Sequence, residues 1–328
     1  MYDKKKEGEL MEQRNKTALF WIVITFAALL IGIVYSSYIS INEYSHKRFG
    51  VTYMTMNNPF YKVIHNEILK GVENNGDELI CLDPALDIEK QQQQIYSFIE
   101  QKVDGIFVNP IDSTQIKDAL LAAKKAGIPV IAIDAPVNDE NLVTCTIASD
   151  NYDAGVQCAK DMMKRKEAAN IVLLKHSTVK SAKDRIDGFV DTIKQYPQYC
   201  IVDEEECEGQ LEIAMPKMQK ILNKTKDIDV VMALNDPSAL GVMAALEQAQ
   251  KNNVIVYGVD GTPDVKSLIN RSDMVAGTVA QSPIQIGKIA VKTMNSYLAG
   301  EKIEKEIVIP VELINGDNIQ SYDETGWQ

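Results

Sequence analysis

Short hydrophobic runs alternate with longer amphipathic runs along the chain from residue 50 onwards. The short runs contain few polar positions, which is typical of strands buried on both faces of a parallel sheet. The longer runs repeat their hydrophobic positions with the spacing of helices that cover such a sheet. The strand-like runs lie at 50–56, 78–83, 105–109, 129–134, 142–148, 170–175, 230–235, 254–260 and 274–281. The alternation predicts an α/β fold built on parallel sheets.

A much longer hydrophobic segment precedes this pattern. Residues 17–41 contain no charged side chain, and a helix of that length can cross a hydrocarbon core of about 30 Å. Lys and Arg are more frequent just before the segment than just after it. By the positive-inside rule, residues 1–16 are a cytoplasmic tail and the chain beyond the membrane is extracytoplasmic. We therefore predict a single-pass transmembrane helix at 17–41 in the cell membrane, followed by a connector at 42–48.

A cleaved signal peptide is the alternative explanation of this segment. Signal peptides usually have an apolar core of about 7–15 residues that ends in a small-x-small cleavage site. Here the apolar run is longer and no Ala-x-Ala follows it, although the sequence SSYIS (36–40) leaves a weak cleavage option. We therefore favour an uncleaved anchor, which brings the chain into contact with the lipid bilayer.

Two pairs of predicted strand ends repeat one spacing. Asn109 and Asp134 end two strands and lie 25 residues apart, and Asn235 and Asp260 also lie 25 residues apart. Ligands of open parallel sheets bind beyond the carboxyl ends of the strands, so a duplicated lobe would place these four side chains across a cleft. Such residues also cap helices, but four at matched spacing favour a binding role.

Further candidate residues flank these strand ends. They are Arg185, Gln281 and the first-lobe residues Asn58, Phe60 and Tyr61. Carboxylates accept hydrogen bonds from hydroxyl groups, amides both donate and accept, and Arg offers a planar set of donors. Together with aromatic faces, this set suits a small polyhydroxylated ligand.

Charge and motif content exclude several classes of function. The net charge is −12, whereas a nucleic-acid partner requires a basic surface. The chain contains no G-x-S-x-G, H-E-x-x-H, Walker A or G-x-G-x-x-G motif, so we predict no enzyme activity and no cofactor. Three His and five Cys without a C-x-x-C offer no metal site. A Cys200–Cys207 disulfide stays open, and so does use of Asp134 and Asp260 as a glycosidase pair, although we favour them as hydroxyl acceptors.

Eight motifs in order carry a family resemblance. They are NNPF (57–60), VNP with Asp112 and Ser113 (108–113), IPVIAID (128–134), IASDN (147–151), R-x-x-GF (185–189), ND-x-x-ALG (235–241), V-x-G-x-DGTPD (256–264) and AQ-x-P-x-QIG (280–287). The chain from residue 49 to about 314 resembles the type I periplasmic sugar-binding proteins, and among them it is most similar to the ribose-binding members.

The resemblance implies an architecture and a site. It implies two Rossmann-like lobes joined by a three-strand hinge, with 49–149 plus 282–311 in the first lobe and 150–281 plus 312–328 in the second. The implied sugar contacts are Asn58, Phe60, Tyr61, Asn109 and Asp134 from the first lobe, Arg185, Asn235 and Asp260 from the second, and Gln281 near the hinge.

Two positions depart from the ribose-binding pattern. Ala135 stands where that pattern has Arg, and Gly209 stands near an expected aromatic residue. The ligand therefore stays open among a pentose, a hexose, a sugar alcohol and a furanose-like signal such as autoinducer-2.

The resulting functional prediction is an extracytoplasmic solute-binding protein. It captures a small sugar by closure of two lobes and delivers it to the permease of an ABC transporter. The alternative is a membrane-tethered sensor that presents its ligand-bound form to a histidine kinase or chemoreceptor.

Overall fold

A long helix precedes the sheets. This computed structural model describes residues 2–43 and 46–328, and in the first helix it describes the side chains of Met11 and Arg14–Ser36. Helix α1 (Tyr2–Glu43) includes residues 2–16 of the predicted tail and the first two residues of the predicted connector. Residue 1 of the tail and residues 44 and 45 of the connector lie outside the described residues. The stretch Arg14–Ser36 is long and apolar enough to cross a membrane, a test that a signal sequence also passes.

The chain divides into two compact units, residues 1–47 and residues 48–328. The second unit carries all of the strands. Its first part comprises β1 (Arg48–Thr52), α2 (Pro59–Asn74), β2 (Glu78–Leu82), α3 (Ile88–Glu100), β3 (Gly105–Val108), α4 (Lys117–Lys125), β4 (Val130–Ile133) and β5 (Cys145–Ser149). The middle part comprises α5 (Asn151–Arg165), β6 (Ala169–Lys175), α6 (Lys180–Ile193), β7 (Tyr199–Glu206), α7 (Leu211–Lys224), β8 (Val230–Ala233), α8 (Asp236–Gln248), β9 (Ile255–Asp260), α9 (Pro263–Ile269) and β10 (Val275–Ala280). The last part comprises α10 (Pro283–Leu298), β11 (Glu306–Ile309) and β12 (Glu312–Asn315).

These strands form two six-stranded sheets. Their orders are β11-β5-β4-β3-β1-β2 and β12-β10-β9-β8-β6-β7. Within the described residues the strand pairings are parallel except for β10 with β12. The chain passes from one sheet to the other after β5, after β10 and between β11 and β12. The predicted two-lobed α/β fold with three crossings is therefore confirmed.

Helices α5 and α6 approach each other backbone to backbone in the second lobe. A Cβ atom at Gly155 would lie 1.9 Å from the main-chain oxygen of Arg185, and one at Gly188 would lie 2.1 Å from that of Tyr152. No side chain fits either place without separating the helices. The two glycines thus set the position of α6, which carries Arg185.

The five cysteines are free thiols in this structure. Cys200 and Cys207 stand at opposite ends of β7, and an extended strand of that length separates its ends by roughly 20 Å. Because the Cα atoms of a disulfide lie about 4.4–6.8 Å apart, this arrangement does not allow the two thiols to pair.

Candidate functional site

The aspartates at two corresponding strand ends adopt unusual backbone conformations. Asp134 follows β4 with a φ of 67°, and Asp260 ends β9 with a φ of 138°. Positive φ is costly for residues other than glycine and persists where the surrounding structure enforces it, often at functional sites. The strain therefore marks both strand ends as candidate functional positions.

Both carboxylates line one cavity between the two lobes. Its lining residues are Met54, Asn58, Phe60, Tyr61, Asp134, His176, Val179, Ser181, Ala182, Arg185, Glu208, Gly209, Gln210, Leu234, Asn235, Asp260 and Gln281.

Three buried oxygens of the cavity lack a donor. Asp134 Oδ1, Asp260 Oδ2 and Gln281 Oε1 have no hydrogen-bond partner within the part of the chain that the structure describes. The other oxygen of Asp134 accepts from Asn109 Nδ2 at 3.1 Å, and that of Asp260 accepts from Gln281 Nε2 at 2.8 Å. Because a buried acceptor without a donor costs about 1–3 kcal/mol, groups that donate hydrogen bonds to these oxygens would stabilise the cavity.

Arg185 is the cation of the cavity. Its guanidinium donates from Nε to Asn151 Oδ1 at 2.8 Å and from Nη1 to the main-chain oxygen of Leu234 at 3.0 Å. Its Nη1 also lies 3.7 Å from Asp260 Oδ1. These bonds hold the guanidinium in one orientation beside the carboxylate of the second lobe.

Burial changes the acidity of both aspartates. It raises the pKa of Asp134 to about 6, although Arg185 and the hydrogen bond from Asn109 act to lower it. Burial also raises the pKa of Asp260 well above its usual value, with Asp236 and Asp134 raising it further and Arg185 opposing them. The buried cleft is thus an unfavourable place for ionised carboxylates, and hydrogen-bond donors to them would relieve that cost.

We predict that ligand binding weakens as the pH falls through about 6. A ligand hydroxyl bonds best to ionised Asp134, and protonation of that carboxyl, with its pKa of about 6, competes with binding. At pH 5 the affinity should be about tenfold lower than at pH 7.5, because only about a tenth of the Asp134 carboxyls are ionised at pH 5. Calorimetric titration at both pH values measures the change. An Asp134→Asn variant that keeps the full pH dependence would contradict the assignment to Asp134.

Eight of the nine predicted site residues line the cavity, and Asn109 does not. Asn109 lies behind Asp134, donates to it and accepts from the main-chain nitrogen of Met54 at 3.1 Å. It therefore positions the carboxylate from outside the cavity wall.

Asn58 and Asn235 line the cavity but also cap helices. Asn58 Oδ1 accepts from the main-chain nitrogen of Phe60 at 2.9 Å at the start of α2. Asn235 Oδ1 accepts from the main-chain nitrogen and the hydroxyl of Ser238, and its Nδ2 donates to the oxygen of Gly209. The capping role considered for strand-end residues thus describes the observed bonds of both side chains.

The cavity also has lining residues that the sequence analysis missed. His176 follows β6, and Glu208 and Gln210 follow β7 on either side of Gly209, which the sequence analysis had named. The rule that ligands bind beyond strand ends would have found Glu208 and Gln210 if β7 had been recognised as a strand. His176 directly follows a strand that was predicted and was overlooked. Ala135, by contrast, is fully buried and contributes no side chain to the cavity wall.

The two lobes touch across the cleft beside the cavity. The main-chain nitrogen of Lys180 in the second lobe donates to Ser113 Oγ in the first at 3.0 Å. The main-chain nitrogen of Ser113 donates in turn to the oxygen of Thr178 at 3.0 Å. The structure therefore represents a closed arrangement of the lobes.

Comparison with known proteins agrees with this geometry. The sequence model of the periplasmic binding protein domain matches residues 49–302. The ribose import binding protein RbsB of Bacillus subtilis is 31% identical over 266 residues, which are 80% of this chain and 86% of that protein. RbsB of Escherichia coli is 29% identical over 88% of this chain and 97% of that protein.

Solved structures of related proteins share the fold. A solute-binding protein of an ABC transporter from Bacillus halodurans with bound myo-inositol has a TM-score of 0.79 at 27% identity, covering 84% of this chain and 97% of that one. The arabinose-binding component from Shewanella sp. ANA-3, bound to L-arabinofuranose, has a TM-score of 0.78 at 26% identity, covering 84% and 94%. The chain belongs to the periplasmic binding protein family and is related within it to the ribose import binding proteins.

Proposed function

We propose that this chain captures a small neutral polyol or sugar in the cavity between its lobes and delivers it to an ABC transporter from a membrane anchor. The observation that carries the proposal is the set of three buried acceptors, Asp134 Oδ1, Asp260 Oδ2 and Gln281 Oε1, that lack donors within the described residues. A compound with several hydroxyl groups can supply donors to all three.

The named ligands of the relatives support the same chemical class. Proteins similar to this chain are named for import of ribose and D-apiose and for binding of xylitol. Others were solved with myo-inositol or L-arabinofuranose. These compounds differ in ring size and stereochemistry but share several hydroxyl groups. They therefore support a polyhydroxylated ligand as a class and do not single out one compound.

Thermal unfolding of residues 46–328 against a panel of such compounds tests the proposal. The panel contains ribose, arabinose, apiose, xylitol, myo-inositol and autoinducer-2. A ligand present at about one hundred times its Kd adds about 2.7 kcal/mol and raises the unfolding temperature by several degrees. One selective shift is the expected result, and an unchanged unfolding temperature with every compound would contradict capture of this class.

The membrane anchor rests on the stretch Arg14–Ser36 and on the excess of basic residues before it. The expected location of the full chain is the membrane fraction, with its N-terminal peptide intact by mass spectrometry. A mature protein that begins after residue 36 would show instead that the helix is a cleaved signal sequence.

The sensor alternative is a second candidate, because a membrane anchor is compatible with sensing as well as with delivery. Neighbouring genes for a permease and ATPase would favour delivery, whereas genes for a kinase and response regulator would favour sensing.

A further inference from the structure

The C-terminal segment, residues 316–328, is fastened to the second lobe by a buried lysine. Lys266 of α9 is fully buried, and its ammonium donates to the main-chain oxygens of Asp323 and Gly326. Burying an ammonium group is costly unless it is hydrogen-bonded. The two main-chain oxygens of the segment therefore offset part of the cost of burying Lys266.

The end of this segment contacts a residue of the first lobe that lines the cavity. The Trp327 ring packs edge-on against Phe60 with 5.8 Å between ring centroids. Phe60 belongs to α2 and lines the cavity. Gln328 Oε1 lies next to Gly261, directly after Asp260, at 2.9 Å from where a Cβ of that glycine would stand.

We propose that Trp327 is a clasp for closure of the cleft. Anchored on the second lobe through Lys266, it packs against a cavity residue of the first lobe. Opening the cleft would separate the two rings, so their contact stabilises the closed state and holds the Phe60 ring against the ligand. The inference rests on the proposed capture of a ligand by closure, and it adds a positioning residue outside the cavity wall.

The clasp predicts how affinity depends on Trp327. The apparent Kd rises in proportion as the closed state becomes less populated. We expect Trp327→Ala to weaken binding of the compound selected by the panel about tenfold, and Trp327→Phe, which keeps an aromatic ring, to weaken it less than threefold. Lys266→Met should reproduce the loss by releasing the segment. The double variant should lose little more than either single variant, because both act on one contact.

Trp327 also reports closure directly. The full chain has two tryptophans, Trp21 and Trp327, so residues 46–328 contain one. This unit forms its own hydrophobic clusters from residues between Phe49 and Trp327, and we therefore expect it to fold alone. The unliganded protein should populate the contact with Phe60 in part, and ligand should shift its tryptophan emission further to shorter wavelength as that fraction rises. Gln320→Ala, at an exposed position of the same segment, serves as the control and should behave as the parent.

Two results would overturn the clasp. One is that the Trp327→Ala variant binds ligand as tightly as the parent and unfolds at the same temperature. The other is that the two unliganded proteins have equal radii of gyration. If no panel compound binds the parent, the proposed ligand class fails, and small-angle scattering of the unliganded proteins still tests the clasp. The expected result is then a larger radius of gyration for Trp327→Ala than for the parent, and equal radii would contradict the inference.

Discussion

Replacing Asp134 by Asn is expected to stabilise the unliganded protein and to weaken ligand binding at least tenfold. The pKa of this carboxyl rises from 3.8 to about 6 on burial in the cleft. At a pH between these two pKa values, Asp134 is thus protonated in the folded state and ionised in the unfolded state. The stability associated with Asp134 is full below about pH 4 and is lost as the pH rises through 6.

The expected stabilisation follows from that difference in pKa. A pKa that is about 2 higher in the folded state lowers the free energy of unfolding by about 3 kcal/mol at neutral pH. This value is the most that a neutral side chain in place of the carboxylate can restore. Asn is enriched at positive φ as Asp is, so the replacement adds no backbone strain at this position. We therefore expect the unfolding free energy at pH 7.5 to rise by about 1–3 kcal/mol.

The expected loss of binding has a separate cause. Asp134 Oδ1 is one of the acceptors without a donor, and a hydrogen bond to a charged group contributes about 1.5–3 kcal/mol. Its loss weakens affinity by about 10- to 150-fold. Denaturant unfolding and calorimetric titration measure the two effects, and Asp118→Asn on the exposed face of α4 is the control. A variant that is less stable and binds as the parent would assign Asp134 a purely structural role.

Replacing Gly188 by Ala is expected to destabilise the second lobe by about 2 kcal/mol or more. The added Cβ would stand 2.1 Å from the main-chain oxygen of Tyr152, and a backbone atom cannot turn away as a side chain can. Overpacking usually costs about 1–3 kcal/mol, and the gain in helix propensity from Gly to Ala offsets about 1 kcal/mol at most. We place the net effect at the upper end because the contact is between two backbones.

Gly316→Ala is the matched control for this substitution. A Cβ there meets no atom within 4 Å, so the same chemical change should leave the urea midpoint nearly unchanged. Equal midpoints for the two variants would contradict the backbone contact between α5 and α6. Because α6 carries Arg185, a folded Gly188→Ala protein should also bind ligand more weakly.

The strand ends of the candidate site were predictable because the pattern that makes them is local. A buried strand followed directly by Asp134 or Asp260 is visible in the sequence, and parallel topology fixes where such ends meet. The hydrogen bonds that the Asn109 and Asn235 side chains make could not be predicted from the sequence. Whether an amide faces the cavity, supports a neighbouring carboxylate or caps a helix depends on side-chain geometry that the spacing does not encode.

The sequence analysis did not predict strand β7 or the contact of Trp327 with Phe60, for a different reason in each case. Strand β7 has an exposed, acidic sequence at the edge of its sheet, so it lacks the hydrophobic run that marked the central strands. The contact of Trp327 with Phe60 joins residues far apart in the chain and depends on the anchor at Lys266. Neither periodicity nor local propensity predicts a contact of that kind.

A crystal structure of residues 46–328 with the compound selected by the panel tests the central claim most directly. The account predicts the ligand between the lobes, with hydroxyl oxygens at about 2.5–3.0 Å from Asp134 Oδ1 and Asp260 Oδ2. It also predicts Trp327 against Phe60 in that complex. A ligand bound elsewhere, or one in the cavity that leaves both carboxylate oxygens without a donor, would contradict the account.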